Sequence, residues 1–353
     1  MIKILSNVKY WAGCIITIML MMSCKENPET FAIHSPIYPK SGDAVTYTLR
    51  KIEGDVEKVR LLATTHNINS SGSITTSGAE TLLKEWRNPS FPLSFTTTSG
   101  YGTNKLVEYR FEVVGNDRTY THKIRYATNP YPVTDAAIPV YAVGEVEKVL
   151  NVVFIPDEDM AEDLTLFYDN VGENIHDSFH EEEYVRRFRR SYNFYVNPLT
   201  AKAGNASAEP RTRHIPPSND GNLDFAQGRI ILHAANYRDF SNGRYVGTEY
   251  FNRGTILHET GHLLYGLADE YGGGSHWQAE DLPNNWRTLA GAQTDAPSRG
   301  KTAADAKEMG DDGWWKLCFD ECIMLRTGRY VHPYDSPCQN RILYTILNKA
   351  SGN

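Results

Sequence analysis

Two patterns of apolar and polar positions divide this chain. Between about residues 31 and 131, short runs rich in Val, Thr, Tyr and Leu recur: "DAVTYTLR", "EKVRLLATT", "LVEYRFEVV" and "RTYTHKIRY". In the third run Val107, Tyr109, Phe111 and Val113 fall on one face by simple alternation, the mark of a half-buried strand. "GND" at 115–117 is a turn signal that joins the last two runs into a hairpin. Strand-sized runs with Gly, Ser and Asn between them predict an N-terminal all-β sandwich, immunoglobulin- or fibronectin-like. It shows no chemistry. His66 and His122 are isolated, and a lone histidine on a strand face is more often structural than a ligand.

From about Val146 the pattern becomes α/β. "KVLNVVFIP" reads as a buried strand, and Met160, Leu164, Phe167 and Val171 then recur at helical spacing, with Asp157 and Asp159 as candidate caps. "YNFYVNPL" and "GRIILHA" read as further strands, "NRGTILHETGHLLYGLA" as a helix, and 272–313 as mostly loop. The chain has 353 residues, for which two domains are the default. The Pro-containing stretch "ATNPYPVTDAAIP" sets their boundary. The expected division is a β-sandwich with its tether over 25–131, a linker over 132–145 and an α/β domain over 146–353.

The first 24 residues stand outside both domains. Lys3 and Lys9 precede the apolar run "WAGCIITIMLMMS", which is too short to span a bilayer comfortably and ends "LMMSC". This resembles a bacterial lipoprotein signal cleaved before Cys24, which would then take the lipid. A plain secretory signal or an uncleaved anchor is the competing reading. Each puts the remainder outside the cytoplasm. A cell-envelope location is therefore expected, with the membrane as a partner through Cys24 and the outer membrane as the anchor. The formal net charge is −7 with no basic stripe, so no nucleic-acid partner is expected. The nearest candidate, "RRFRR" at 186–190, follows "EEE" at 181–183 and reads as a solvated helix face.

Candidate chemistry lies in "TILHETGHLLYGLADEYGGG" at 255–274. On a helix, positions i and i+4 share a face, so His258 and His262 can grip one ion together. Glu259 projects about 100° round from His258, beside the ion instead of on it, where it can take a proton from water. Gly266 can end the helix and let the chain swing back, offering Asp269 as third ligand, with Glu270 as its competitor. The metzincin-type layout also places a ligand three residues after a helix-ending glycine. The plain alternative is a core helix built on Leu257, Leu263 and Leu264. Buried His, Glu and His without a metal would each need a partner, which weighs against it. Trp277, Trp286, Trp314 and Trp315 lie around the motif and read as packing residues.

"HETGHLLYGLADEY" resembles the active-site signature of the IgA-peptidase-like family of zinc metallopeptidases. The likeness runs from about Val146 to Ile346. It takes in "LNVVFIPD", where "DEDM" replaces the family's Asp-Gly-Tyr, then "NFYVN" with Gly204, and "CIMLRTGRYVHPYDSPCQNRI". It implies a metzincin-like domain with one catalytic Zn2+, in which Met324 is the methionine turn beneath the metal. It implies an endopeptidase mechanism with Glu259 as general base and acid. A tyrosine hydroxyl could stabilise the oxyanion, and Tyr271 and Tyr330 are nearest in sequence. The leading function is then an envelope-anchored zinc endopeptidase acting on protein or peptide substrates. An inactive surface binding protein and a zinc hydrolase of a non-peptide amide are the alternatives. Near the C-terminus, Cys322 and Cys338 could form a disulfide in an oxidising compartment. Cys318, Cys322 and Cys338 with His332 could instead hold a second, structural zinc, or the thiols could be free and buried.

Overall fold

The computed structural model describes residues 32–50, 55–115, 119–131, 137–205, 207–208, 212–236, 239–272, 276–310, 312–317, 321–326 and 328–352. Residues 1–31, among them Cys24, as well as Asn116 and Asp117 of the expected turn, and Cys318, lie outside the described residues. The chain is a multidomain, β-rich protein built on several sheets.

Eight strands make the first half: β1 (Ala32–Ser35), β2 (Thr46–Leu49), β3 (Val56–Ile68), β4 (Ile74–Ser77), β5 (Thr81–Arg87), β6 (Leu93–Thr96), β7 (Lys105–Gly115) and β8 (Thr119–Ala127). They form two antiparallel sheets. One has the order β1-β2-β6, and the other has the order β4-β3-β7-β8 with β5 also on β3. The alternation in β7 is borne out, since Val107, Tyr109, Phe111 and Val113 are all buried. The facing sheet meets them with Tyr47, whose Oη lies 2.7 Å from Tyr126 Oη and 3.0 Å from Tyr101 Oη. The phenols thus satisfy one another inside an apolar core. β7 and β8 pair from Val114↔Thr119 to Leu106↔Ala127, as the hairpin pattern predicts. His66 bonds Ser77, a structural use; the side chain of His122 lies outside what is described.

Six strands make the second half: β9 (Ile138–Tyr141), β10 (Leu150–Pro156), β11 (Tyr192–Val196), β12 (Gly228–His233), β13 (Phe240–Asn242) and β14 (Tyr245–Glu249). Their order is β13-β14-β12-β10-β11-β9. The four inner strands are parallel and both edge strands antiparallel. The inner strands are buried from end to end, as parallel strands covered on both faces must be. Alternate residues serve different cores. Val152, Phe154 and Ile230 join the large one that also holds the first half's interior, while Val153, Ile155 and Ile231 join a smaller one with Leu223.

The structure corrects one expectation, qualifies a second and bears out a third. Residues 132–145 are not simply a linker, because β9 falls within them and closes one edge of the six-stranded sheet. Arg125 and Ala142 exchange backbone hydrogen bonds of 2.8 and 2.9 Å, which ties β8 to the same segment. The cap of helix Leu164–Asn174 is Asp163, which accepts from the Thr165 and Leu166 amides at 3.0 Å. Asp157 stands at the N-cap of a separate short helix, Glu158–Ala161, that carries Met160, but its side chain accepts from the Ala203 amide, and Asp159 accepts from the amides of Ala234 and Ala235. Finally, 272–313 is mostly loop, as expected, and carries short elements: β15 (Asn285–Trp286), a helix over Leu289–Asp295 and β16 (Lys307–Glu308), the two strands joined into one sheet by β17 (Trp315–Lys316).

Candidate metal centre

The motif helix, Arg253–Tyr265, follows β14 and is buried on nearly every side. Tyr265 Oη lies 2.8 Å from Tyr192 Oη, and the Tyr334 hydroxyl donates to the Leu257 carbonyl at 2.6 Å. Gly261 sits between the two motif histidines, packed directly against Met324. A Cβ there would lie 2.6 Å from Sδ of Met324, itself fully buried. The helix ends at Gly266 with φ 63°, a left-handed conformation that glycine adopts without steric cost. This end turns the chain back toward its own histidines.

The reversal delivers Asp269. Its Oδ1 lies 3.1 Å from His258 Nε2 and 3.2 Å from His262 Nε2. The other ring nitrogens are engaged elsewhere: His258 Nδ1 meets the Ile323 carbonyl at 2.9 Å and His262 Nδ1 meets the Leu267 carbonyl at 2.7 Å. A carbonyl only accepts, so each Nδ1 carries a hydrogen. In the neutral rings each Nε2 therefore presents a lone pair. Two lone pairs and a carboxylate oxygen converge within 4.8 Å, and only a shared cation reconciles them: a proton on a ring, or a metal ion. Burial opposes a charged His262 ring, yet the Asp269 and Glu259 carboxylates outweigh it and raise its pKa. Burial likewise works against an ionised Asp269, but the two rings hold that carboxyl far below its ordinary range.

Two imidazole nitrogens and one carboxylate oxygen, each ring fixed through its far nitrogen, fit a divalent ion of the zinc class that keeps a fourth position open. Glu259 follows His258 on the helix, 8% exposed, and its carboxyl makes no hydrogen bond among the described residues. Burial raises its carboxyl above the ordinary range. Glu270 is not part of this cluster. It is fully buried and points away, its Oε1 accepting from Asn284 Nδ2 at 3.0 Å.

Around these three side chains, Tyr271 lays its ring near-parallel to His258 with centroids 6.1 Å apart. Tyr330 is 80% exposed, and no hydrogen bond or ring contact ties it to the three side chains among the described residues. Met324 lies against the helix at Gly261, and its carbonyl accepts from the Glu270 amide at 2.9 Å. Trp277, expected to be a packing residue, packs at the site itself, and Asn284 was not expected there at all. The Trp277 indole donates to the Gly266 carbonyl at 3.1 Å, and its ring centre is 5.4 Å from that of His262. Asn284 exchanges hydrogen bonds of 2.9 and 2.8 Å with the backbone of Ala268, pinning the turn that carries Asp269. No sequence signal marks Asn284, whereas Trp277 stood eleven residues beyond Gly266 in plain view.

Cys322 and Cys338 are free, buried thiols with Sγ atoms 3.7 Å apart, not a disulfide. Glu270 and Asp335 gather with them, and His332 is no part of that group. Among the described residues no helix is long and apolar enough to cross a membrane.

No family model and no curated protein matches the chain. Among solved structures it is similar to the sporulation control protein Spo0M of Bacillus subtilis, at 12% identity over 30% of this chain and 51% of that one, TM-score 0.20. It is also similar to a cycloisomaltooligosaccharide glucanotransferase of Paenibacillus sp., at 11% identity over 58% of this chain and 27% of that one, TM-score 0.23. The β-glucuronidase 2 of Bacteroides uniformis overlaps at 8% identity over 40% of this chain and 19% of that one, TM-score 0.18. The chain thus spans about half of the first of these proteins and about a quarter of the second. Overlaps this slight carry no argument about fold or activity.

Proposed function

We propose that this chain is an envelope-anchored zinc endopeptidase, metzincin-like in its second half and resembling the IgA-peptidase-like family. The observation that carries the reading is the convergence of His258 Nε2, His262 Nε2 and Asp269 Oδ1, with a lone buried carboxyl, Glu259, beginning the next position of the helix. Those three residues would hold the ion. When bound, zinc supplies Lewis acidity toward a carbonyl and water of lowered pKa.

The chain's own groups do the rest. The Glu259 carboxylate accepts the proton of the attacking water and then returns it to the departing amine. A carboxyl raised by burial is better matched to that double duty near neutral pH than an ordinary one. The Ile323 and Leu267 carbonyls fix both rings in the tautomer that leaves Nε2 free. Met324 and Gly261 keep the helix seated while Asn284 keeps Asp269 in place. Trp277 and Tyr271 pack beside the rings and limit water around them. The N-terminal sandwich shares a continuous core with the second half, which supports a fixed shoulder for docking substrate over a loosely tethered module. The lipid at Cys24 and the envelope location rest on the leader's sequence.

Chelation tests the metal dependence. Cleavage of a denatured protein substrate should cease on removal of the ion and return on adding zinc; cleavage that persists through complete chelation would sink the reading.

A further inference from the structure

Behind this centre, four side chains of ligand type converge without serving it. Glu270 turns inward next to Asp269. Cys322 opens the turn that carries Ile323 and Met324. Asp335 and Cys338 open the C-terminal helix, Ser336–Ser351. One donor atom from each of the four lies within 4.8 Å of every other. The two Sγ atoms are 3.7 Å apart, and Cys338 Sγ is 3.3 Å from Glu270 Oε1. Burial is deep throughout: Glu270 and Cys338 have no exposure, Cys322 has 2% and Asp335 has 9%.

A second observation is independent of that clustering. Glu270 Oε2 and Asp335 Oδ2 are both buried with no hydrogen-bond partner among the described residues. The donors nearby already serve the other oxygens, Asn284 Nδ2 bonding Glu270 Oε1 and the Cys338 amide reaching Asp335 Oδ1. A buried acceptor left unpaired carries a desolvation penalty that native proteins rarely tolerate twice in one place. A disulfide between Cys322 and Cys338 would join the sulfurs and leave both oxygens orphaned. A divalent cation would satisfy all four groups together.

We propose that Glu270, Cys322, Asp335 and Cys338 form a second metal site, a closed one for a zinc-class ion with a structural role. Two soft thiolates with two carboxylates suit zinc, and four protein donors leave no open position for a substrate. Binding releases the two thiol protons. The Lys316 ammonium, which donates to the Glu270 carbonyl at 3.1 Å, offsets part of the remaining negative charge. The site has a mechanical consequence for the first centre. It joins the residue beside Asp269 to the residue beside Ile323, whose carbonyl holds His258, and staples both to the C-terminal helix. This inference does not depend on peptidase activity.

The test counts metal in the full chain, purified without chelator under reducing conditions, by elemental mass spectrometry. His262→Ala empties only the first centre and should retain one zinc per chain, which the added Cys338→Ser should remove. Because the serine variant could fail to fold, cobalt(II) loading of His262→Ala provides a second readout. Thiolate ligation gives a near-ultraviolet charge-transfer band that carboxylate or histidine ligation cannot. Absence of metal in folded His262→Ala, cobalt bound without that band, or a Cys322–Cys338 cross-link found by nonreducing peptide mapping of freshly lysed cells would each overturn the proposal. A chain that keeps this ion yet cleaves nothing would leave it standing and sink only the peptidase reading.

Discussion

At the scale of single residues, Asp269 and Glu270 are adjacent carboxylates with opposite destinies. One faces two imidazoles and the other faces two thiols, and the turn after Gly266 decides which is which. Asp269→Ala should therefore weaken zinc at the histidine pair by more than the ~10–100-fold expected from losing an outer-shell partner, as read by competition with a chromophoric chelator. Glu270→Gln should leave that ion bound. Equal losses in the two variants would contradict the assignment of the third ligand. Spacing alone left both residues in play, because a position within a turn does not fix where its side chain points. The two histidines and the glutamate were legible for the opposite reason: helical geometry fixes their mutual directions.

At the scale of elements, the motif helix was found by its chemistry and its caps. It is buried on nearly all sides, so it lacks the apolar stripe by which surface helices are recognised. Gly266 marked its end correctly. Of the two candidate caps of the earlier run, Asp157 does hold the N-cap position of Glu158–Ala161, but its side chain and that of Asp159 bond amides far along the chain, at Ala203 and at Ala234 and Ala235, and such partners are invisible to local spacing. β15 to β17 are two residues each, too short for any periodicity. The seat of the motif helix gives a sharp expectation. Gly261→Ala gains up to about 1 kcal/mol of helix propensity but overpacks Met324 at a cost of about 1–3 kcal/mol, so it should lower stability in a denaturant titration. Combined with Met324→Ala, the loss should be smaller than the sum of the single losses. Additive losses would mean that the glycine does not answer to Met324.

At the scale of the whole molecule, the stretch expected to be a linker supplies β9 and the bridge from Ala142 to Arg125, and one apolar core runs through both halves. Pro130, Pro132 and Pro139 gave that stretch the look of a boundary. Yet proline is tolerated on an edge strand, and Pro139 lies on just such a strand. A fragment of 146–353 would lose β9, open the edge of β11 and expose apolar surface that the first half covers. It should melt at lower temperature than the full chain and aggregate; a fragment as stable as the full chain would show the halves to be independent.

The most direct test of the central claim compares zinc-replete full chain with its Glu259→Ala variant on a proteome-derived peptide library, after confirming equal metal content in both. The account predicts new amino termini from the native chain and a loss of at least about a hundredfold in the variant, the scale of a positioned general base. Equal cleavage by the two proteins, or no cleavage by the native chain with its zinc in place, would contradict it.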